Sequence, residues 1–109
     1  MRFFRRRRPE TVVSVSKCIG NFNPAVPGYY ENVETAFFEA RRKVPVSVRV
    51  KADRPVDVSV MDPAGEPADF VEQVTEYAYD LRPPADGPMA VIVAVYAGDR
   101  ANIELTVDA

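Results

Sequence analysis

The chain has 109 residues, the size of a single domain, and is long enough to bury roughly two-thirds of its unfolded surface without a metal or a disulfide. It has no histidine, no tryptophan and one cysteine, Cys18, which excludes an intrachain disulfide, cysteine-cluster metal sites, histidine-based triads and histidine zinc motifs. The formal net charge of −2 hides an asymmetry: residues 1–8 carry Arg2, Arg5, Arg6, Arg7 and Arg8 and no acid, whereas the rest holds nine basic and sixteen acidic residues.

Residues 1–9 read as a flexible basic arm, since neighbouring like charges repel and Pro9 blocks regular pairing; residues 10–109 read as one domain. The arginines after Met1-Arg2-Phe3-Phe4 leave no apolar run, so the start does not read as a signal peptide, and no stretch is long enough to span a bilayer. The expected location is cytoplasmic. Leu81 and Leu105 are the only leucines and Val and Ala dominate the apolar set; scarce Leu, with Val, Tyr and Phe suited to a pleated surface, favours strands over helices.

In chain order, 11–19 predicts a strand with Val13 and Val15 on one face. The segment 32–43 is open to an amphipathic helix capped by Asn32 or to a strand over 35–40 leading into the basic turn Arg41-Arg42-Lys43, and we take the strand. Val44, Val46, Val48 and Val50 alternate with Pro45, Ser47, Arg49 and Lys51, the pattern of a half-buried strand. Asp53-Arg54-Pro55 predicts a turn, after which Val56, Val58 and Val60 repeat the alternation up to the turn Asp62-Pro63-Ala64-Gly65. Segment 67–81 admits a helix through Phe70, Val74 and Leu81, but Thr75, Tyr77, Tyr79 and Leu81 share a face at period two, so a strand is expected. After the turn region 83–88, residues 89–97 are apolar at nearly every position, which predicts a central strand covered on both faces. Gly98-Asp99 then turns the chain into 101–108, with Ile103, Leu105 and Val107 facing inward. The sum is an all-β, antiparallel, jelly-roll-like sandwich of about seven to eight strands.

From about Tyr29 onward, one order of signals resembles a known group of small sandwiches. Phe37 and Phe38 lead into the basic turn, and Pro55-Val56-Asp57-Val58-Ser59-Val60-Met61-Asp62-Pro63-Ala64-Gly65 follows the first valine strand. A tyrosine strand, the turn Pro84-Ala85-Asp86-Gly87 and two closing strands complete it. This order is similar to bacterial pre-peptidase C-terminal-type and GOLD-like domains. The resemblance implies a non-catalytic sandwich serving substrate, matrix, lipid or protein association, and carries across no binding residues.

Among residues that might carry chemistry, Cys18 reads as a buried or edge thiol. The isolated glycines form no phosphate loop. Asp57, Asp62, Asp69, Glu72, Asp86 and Asp99 are the oxygen ligands available to calcium, but without a dense run of aspartates they read first as turn residues, and no metal or other cofactor is expected. In the doublets Tyr29-Tyr30 and Phe37-Phe38 one ring should face the core and the other lie under a loop, an exposed aromatic patch being the alternative. The sharpest candidate is Phe3, Phe4, Arg5, Arg6, Arg7 and Arg8, a segment suited to an acidic protein partner or self-association, to an anionic membrane surface, or less well to nucleic acid, with a solvated tail as the plain alternative. The expected function is a non-catalytic interaction module; the alternatives are a structural homo-oligomer and, last, a carboxylate-based enzyme.

Overall fold

Six strands account for most of the structure, a computed structural model that describes residues 10–20, 32–96 and 98–109. They are β1 (Thr11–Ile19), β2 (Val33–Ala40), β3 (Val46–Met61), β4 (Pro67–Leu81), β5 (Gly87–Ala94) and β6 (Ala101–Asp108). All pair antiparallel in one nearly closed, barrel-like sheet, and no helix occurs among the described residues. Both ambiguous segments are strands, and alternation explains why: Ala36, Phe38 and Ala40 are buried in β2, and Tyr77 in β4, while their neighbours are exposed.

The strand count is six, not seven to eight, because one expected break is a bend inside a continuous strand. The runs 44–51 and 56–60 belong to the single strand β3, and Asp53-Arg54-Pro55, expected as a turn, lies within it. β4 pairs β3 along nearly its whole length, so β6 and β5 share β3's other edge: β6 opposite 47–52, β5 opposite 57–61. Between these stretches β3 leaves one neighbour for the next. There the Asp53 carboxylate continues the ladder in place of backbone, accepting hydrogen bonds from the Asn102 amide (2.7 Å) and side-chain Nδ2 (2.8 Å). Pro55 is tolerated because the register to β4 slips between Lys51 and Val56, where a missing N–H breaks no ladder bond. β4 answers with its own bulge. Gln73 takes φ 55°, and its amide donates to the Asp57 carboxylate at 3.0 Å.

The bends fold the long β3–β4 hairpin over itself, so the inward rows of its two halves meet. The core comprises Val46, Val48 and Val50 from the first half of β3, Val56, Val58 and Val60 from the second, Met89, Val91 and Val93 of β5, and Ile103, Leu105 and Val107 of β6. Every one of these is at most 2% exposed, and at roughly 25 cal/mol per Å² their burial is the main favourable contribution to folding. The free edges of β1 and β2 approach each other, joined by an ion pair between Lys17 and Glu34 at 2.8 Å.

Candidate functional site

The pairing register fixes what each outer surface displays. Across β2, β5, β3 and β4, the residues pointing away from the core form rows: Val33–Ala94–Asp57, then Thr35–Ile92–Ser59–Phe70, then Phe37–Ala90–Met61. Seven of these ten side chains are apolar. Phe37 is 71% exposed, Phe70 54% and Val33 47%, while Ile92, Ala94 and Met61 are half-buried by their neighbours. Phe37 and Phe70 sit three strands and two residues apart, about 16 Å at ordinary strand spacing. Tyr96, also exposed, follows two residues beyond Ala94. A contiguous apolar surface of this kind, ringed by polar groups, is what association sites present.

This corrects two expectations. β5 is a central strand, but its two faces are unequally covered: Met89, Val91 and Val93 are at most 1% exposed, whereas on the other face Ala90 is buried and Ile92 and Ala94 are only half-buried. In the Phe37-Phe38 doublet, Phe38 enters the core at 7% exposure, while Phe37 lies under no loop of the described residues. Tyr29-Tyr30 lies outside the described residues, as do Phe3, Phe4, Arg5, Arg6, Arg7 and Arg8.

The opposite outer surface, on β1, β6 and the first half of β3, is mostly polar, with Val12 exposed near the start of β1. Its rows are Ser16–Glu104–Lys51 and Ser14–Thr106–Arg49, with Asp108 opposite Ser47 at the end. Ser47 and Arg49 both donate to the Asp80 carboxylate, and these two bonds, the serine's first, hold its pKa below the ordinary carboxylate value. A shallow depression of about 420 Å³ lies here, lined among others by Ser16, Cys18, Lys51, Asp53, Asn102 and Glu104. Its charges are mixed, and the Asp53 carboxylate is engaged by Asn102, whose hydrogen bonds are the main reason its pKa is lowered. Cys18 is half-buried on the edge strand β1.

Four of the five aspartates considered as calcium ligands serve separate structural tasks. Asp57 holds the Gln73 amide, Asp62 accepts from the Ala64 and Glu66 amides at 2.9 and 3.0 Å, Asp69 accepts from the Tyr77 hydroxyl, and Asp86 accepts from the Arg42 amide. No three acids or cysteines gather at metal-binding distance among the described residues. No helix there is long and apolar enough to cross a membrane.

The sequence matches no protein-family model and no curated protein. The two outer surfaces, one apolar and one polar, are therefore the observations from which function is argued.

Phe70, Ile92, Met61 and Ala90 were missed as candidate site residues. The signal for them lay in segments apolar on both faces, since 89–97 and the Phe37-Phe38 pair exceed what one core face consumes.

Proposed function

We propose that this chain is a non-catalytic interaction module that binds a partner protein through the apolar outer surface of β2, β5, β3 and β4. The observation carrying this reading is the pair Phe37 and Phe70, two large aromatic side chains more than half exposed on one largely apolar surface. Exposing such rings to water is unfavourable, and aromatic anchors of this kind dominate association energies. Absence of catalysis is argued from composition, because a chain without histidine has no ordinary general base near neutral pH. A cytoplasmic setting, without a cofactor, is part of the same proposal.

The pairing order supports a jelly-roll-like sandwich as the finer description of the fold. Counted as halves, β3 and β4 supply four segments, giving one layer of β1, β6, 46–52 and 76–81 and a second of β2, β5, 56–61 and 67–74. Kinship with pre-peptidase C-terminal-type or GOLD-like domains is proposed on the order of sequence signals described above.

Assembly through sheet edges is the weaker alternative. The long free edge of β4 is interrupted by the Gln73 bulge and carries exposed Glu72, Glu76 and Asp80, features that discourage edge-to-edge pairing. Quantitative affinity capture from cells that make the protein tests the proposal. Wild type and a polar-surface variant, Ser14→Asp with Thr106→Asp, should retain the same partner, and Phe37→Asp with Phe70→Asp should lose it. Identical capture by all three would remove the apolar surface from the function.

A further inference from the structure

The apolar surface has relief. Its two middle strands lie low: on their outward side Ala90 is buried, while Ile92 and Ala94 of β5 and Ser59 and Met61 of β3 are half-buried. Its two flanks stand high. Val33, Thr35, Phe37 and Glu39 along β2, and Phe70 and Glu72 on β4, are all exposed. The result is a trough two strands wide that runs along the strands, with Phe37 on one bank and Phe70 on the other.

Its dimensions suit one element. β2 and β4 stand three strand spacings apart, about 14 Å, and Val33 to Glu39 spans about 20 Å along β2. An α-helix with its side chains is about 10–12 Å across, and about 13 residues of it cover that length. The backbone of the floor selects a helix as well. β5 is paired on both edges, by β2 and β3, and the second half of β3 is paired on both edges, by β5 and β4. Neither middle strand has an edge open to an extended segment, so an occupant must satisfy its own N–H and C=O groups, as a helix does.

The charges narrow the kind of helix. Among outward-facing described residues of β2, β5, the second half of β3 and the first half of β4, every formal charge is acidic: Glu39, Asp57 and Glu72. These acids disfavour the same surface of a second copy, which would bring acid against acid, and equally disfavour an anionic membrane. They favour a helix with Lys or Arg on both sides of an apolar stripe, whose long stems cover the rings while their charged heads reach the carboxylates. The basic turn Arg41-Arg42-Lys43 lies past Glu39, beyond the end of β2, so Asp57 and Glu72 carry the larger share of this preference.

We propose that the partner presents an amphipathic helix to this trough, its apolar stripe seated between Phe37 and Phe70 and its flanking Lys or Arg residues opposite Glu39 and Glu72. This rests on the reading of that surface as the binding site and names the chemistry of its partner.

Two displayed peptide libraries selected against the full chain test it: helices with a fixed leucine stripe and randomised flanks, and unstructured random peptides of the same length. Both are first depleted on Phe37→Asp with Phe70→Asp, whose strands circular dichroism should show intact. The helical library should yield the stronger binders, with Lys and Arg several-fold enriched over Asp and Glu at the flanks. Selection against Glu39→Lys with Glu72→Lys should reverse that enrichment; Asp57 is left in place because it holds the Gln73 amide. Acidic or unbiased flanks, or a basic bias unchanged in the lysine variant, overturn the proposal. So do unstructured peptides recovered as readily as helices, and so does the absence of binders from both libraries. Affinity capture reads the surface's role in partner binding separately, so these failures leave that role standing.

Discussion

The Tyr77 hydroxyl donates a 2.7 Å hydrogen bond to the carboxylate of Asp69, eight residues earlier on the same strand. In a straight strand, those positions would be about 26 Å apart. The contact is therefore a direct measure of how far β4 folds back on itself, and Tyr79 repeats it by donating to the Ala68 carbonyl at 3.3 Å. The two rings lie 6.3 Å apart and nearly parallel, lining the inside of the bend.

Replacing Tyr77 with Phe removes this bond while keeping the ring, and should cost about 1–2 kcal/mol in urea unfolding. A pH signature accompanies it. Burial first, and then the bond to Asp69, raises the Tyr77 pKa well above its ordinary 10.0. The unfolded tyrosine ionises near its ordinary pKa and the folded one resists, so the contribution is fully present below about pH 10 and is lost as pH rises beyond it. Wild-type stability should fall above that pH more steeply than that of Tyr77→Phe.

At the point where β3 leaves β6 for β5, Asp53→Ala should lower the denaturation midpoint and speed amide exchange at Asn102, with Asp53→Asn in between. The lowered pKa of Asp53 gives the acid-side sign: its contribution is present above the ordinary carboxylate range and is lost as pH falls through and below it. The difference between wild type and Asp53→Ala should therefore narrow on acidification below about pH 4.

Gly20 tests the end of the barrel. It is buried, at φ 77°, and a Cβ there would overlap the Asp99 carbonyl oxygen and lie 2.5 Å from Val95 Cγ2. Because that clash includes backbone and the conformation suits only glycine, Gly20→Ala should destabilise by about 3 kcal/mol or more, read as a lowered thermal midpoint. At Gly65, which has open space around it but φ 80°, alanine should cost only about 1 kcal/mol.

Neighbouring phenylalanines should behave oppositely. Phe38→Ala empties a core position and should cost about 3–4 kcal/mol, whereas Phe37→Ala should change stability by less than about 0.5 kcal/mol. Chemical denaturation of the two variants measures this, and equal losses would mean Phe37 is a core residue.

Much of this fold was legible in period-two alternation. Val48, Val58 and Leu105 are fully buried at positions where the pattern puts them, and β2 and β4 resolved to strands for the same reason. What the pattern lacked was long-range pairing. Asp53-Arg54-Pro55 has turn chemistry, and only Asn102, 49 residues away, makes it a bend within a strand. The outer surface was hidden for a related reason: Phe37, Ile92, Ser59 and Phe70 become neighbours only through the register of four strands. An unbroken apolar run shows that β5 has two apolar faces, but not whether the second is covered within the chain.

Whether the apolar surface meets a partner protein is decided by site-specific photo-crosslinking in living cells, with a photoreactive phenylalanine analogue at Phe37 on the apolar surface and, separately, at Ser14 on the polar one. A discrete crosslink to another protein is expected from position 37, absent from position 14 and lost when Phe70→Asp is added. Crosslinks of equal yield from both positions, or from position 14 alone, would contradict a binding role for the apolar surface.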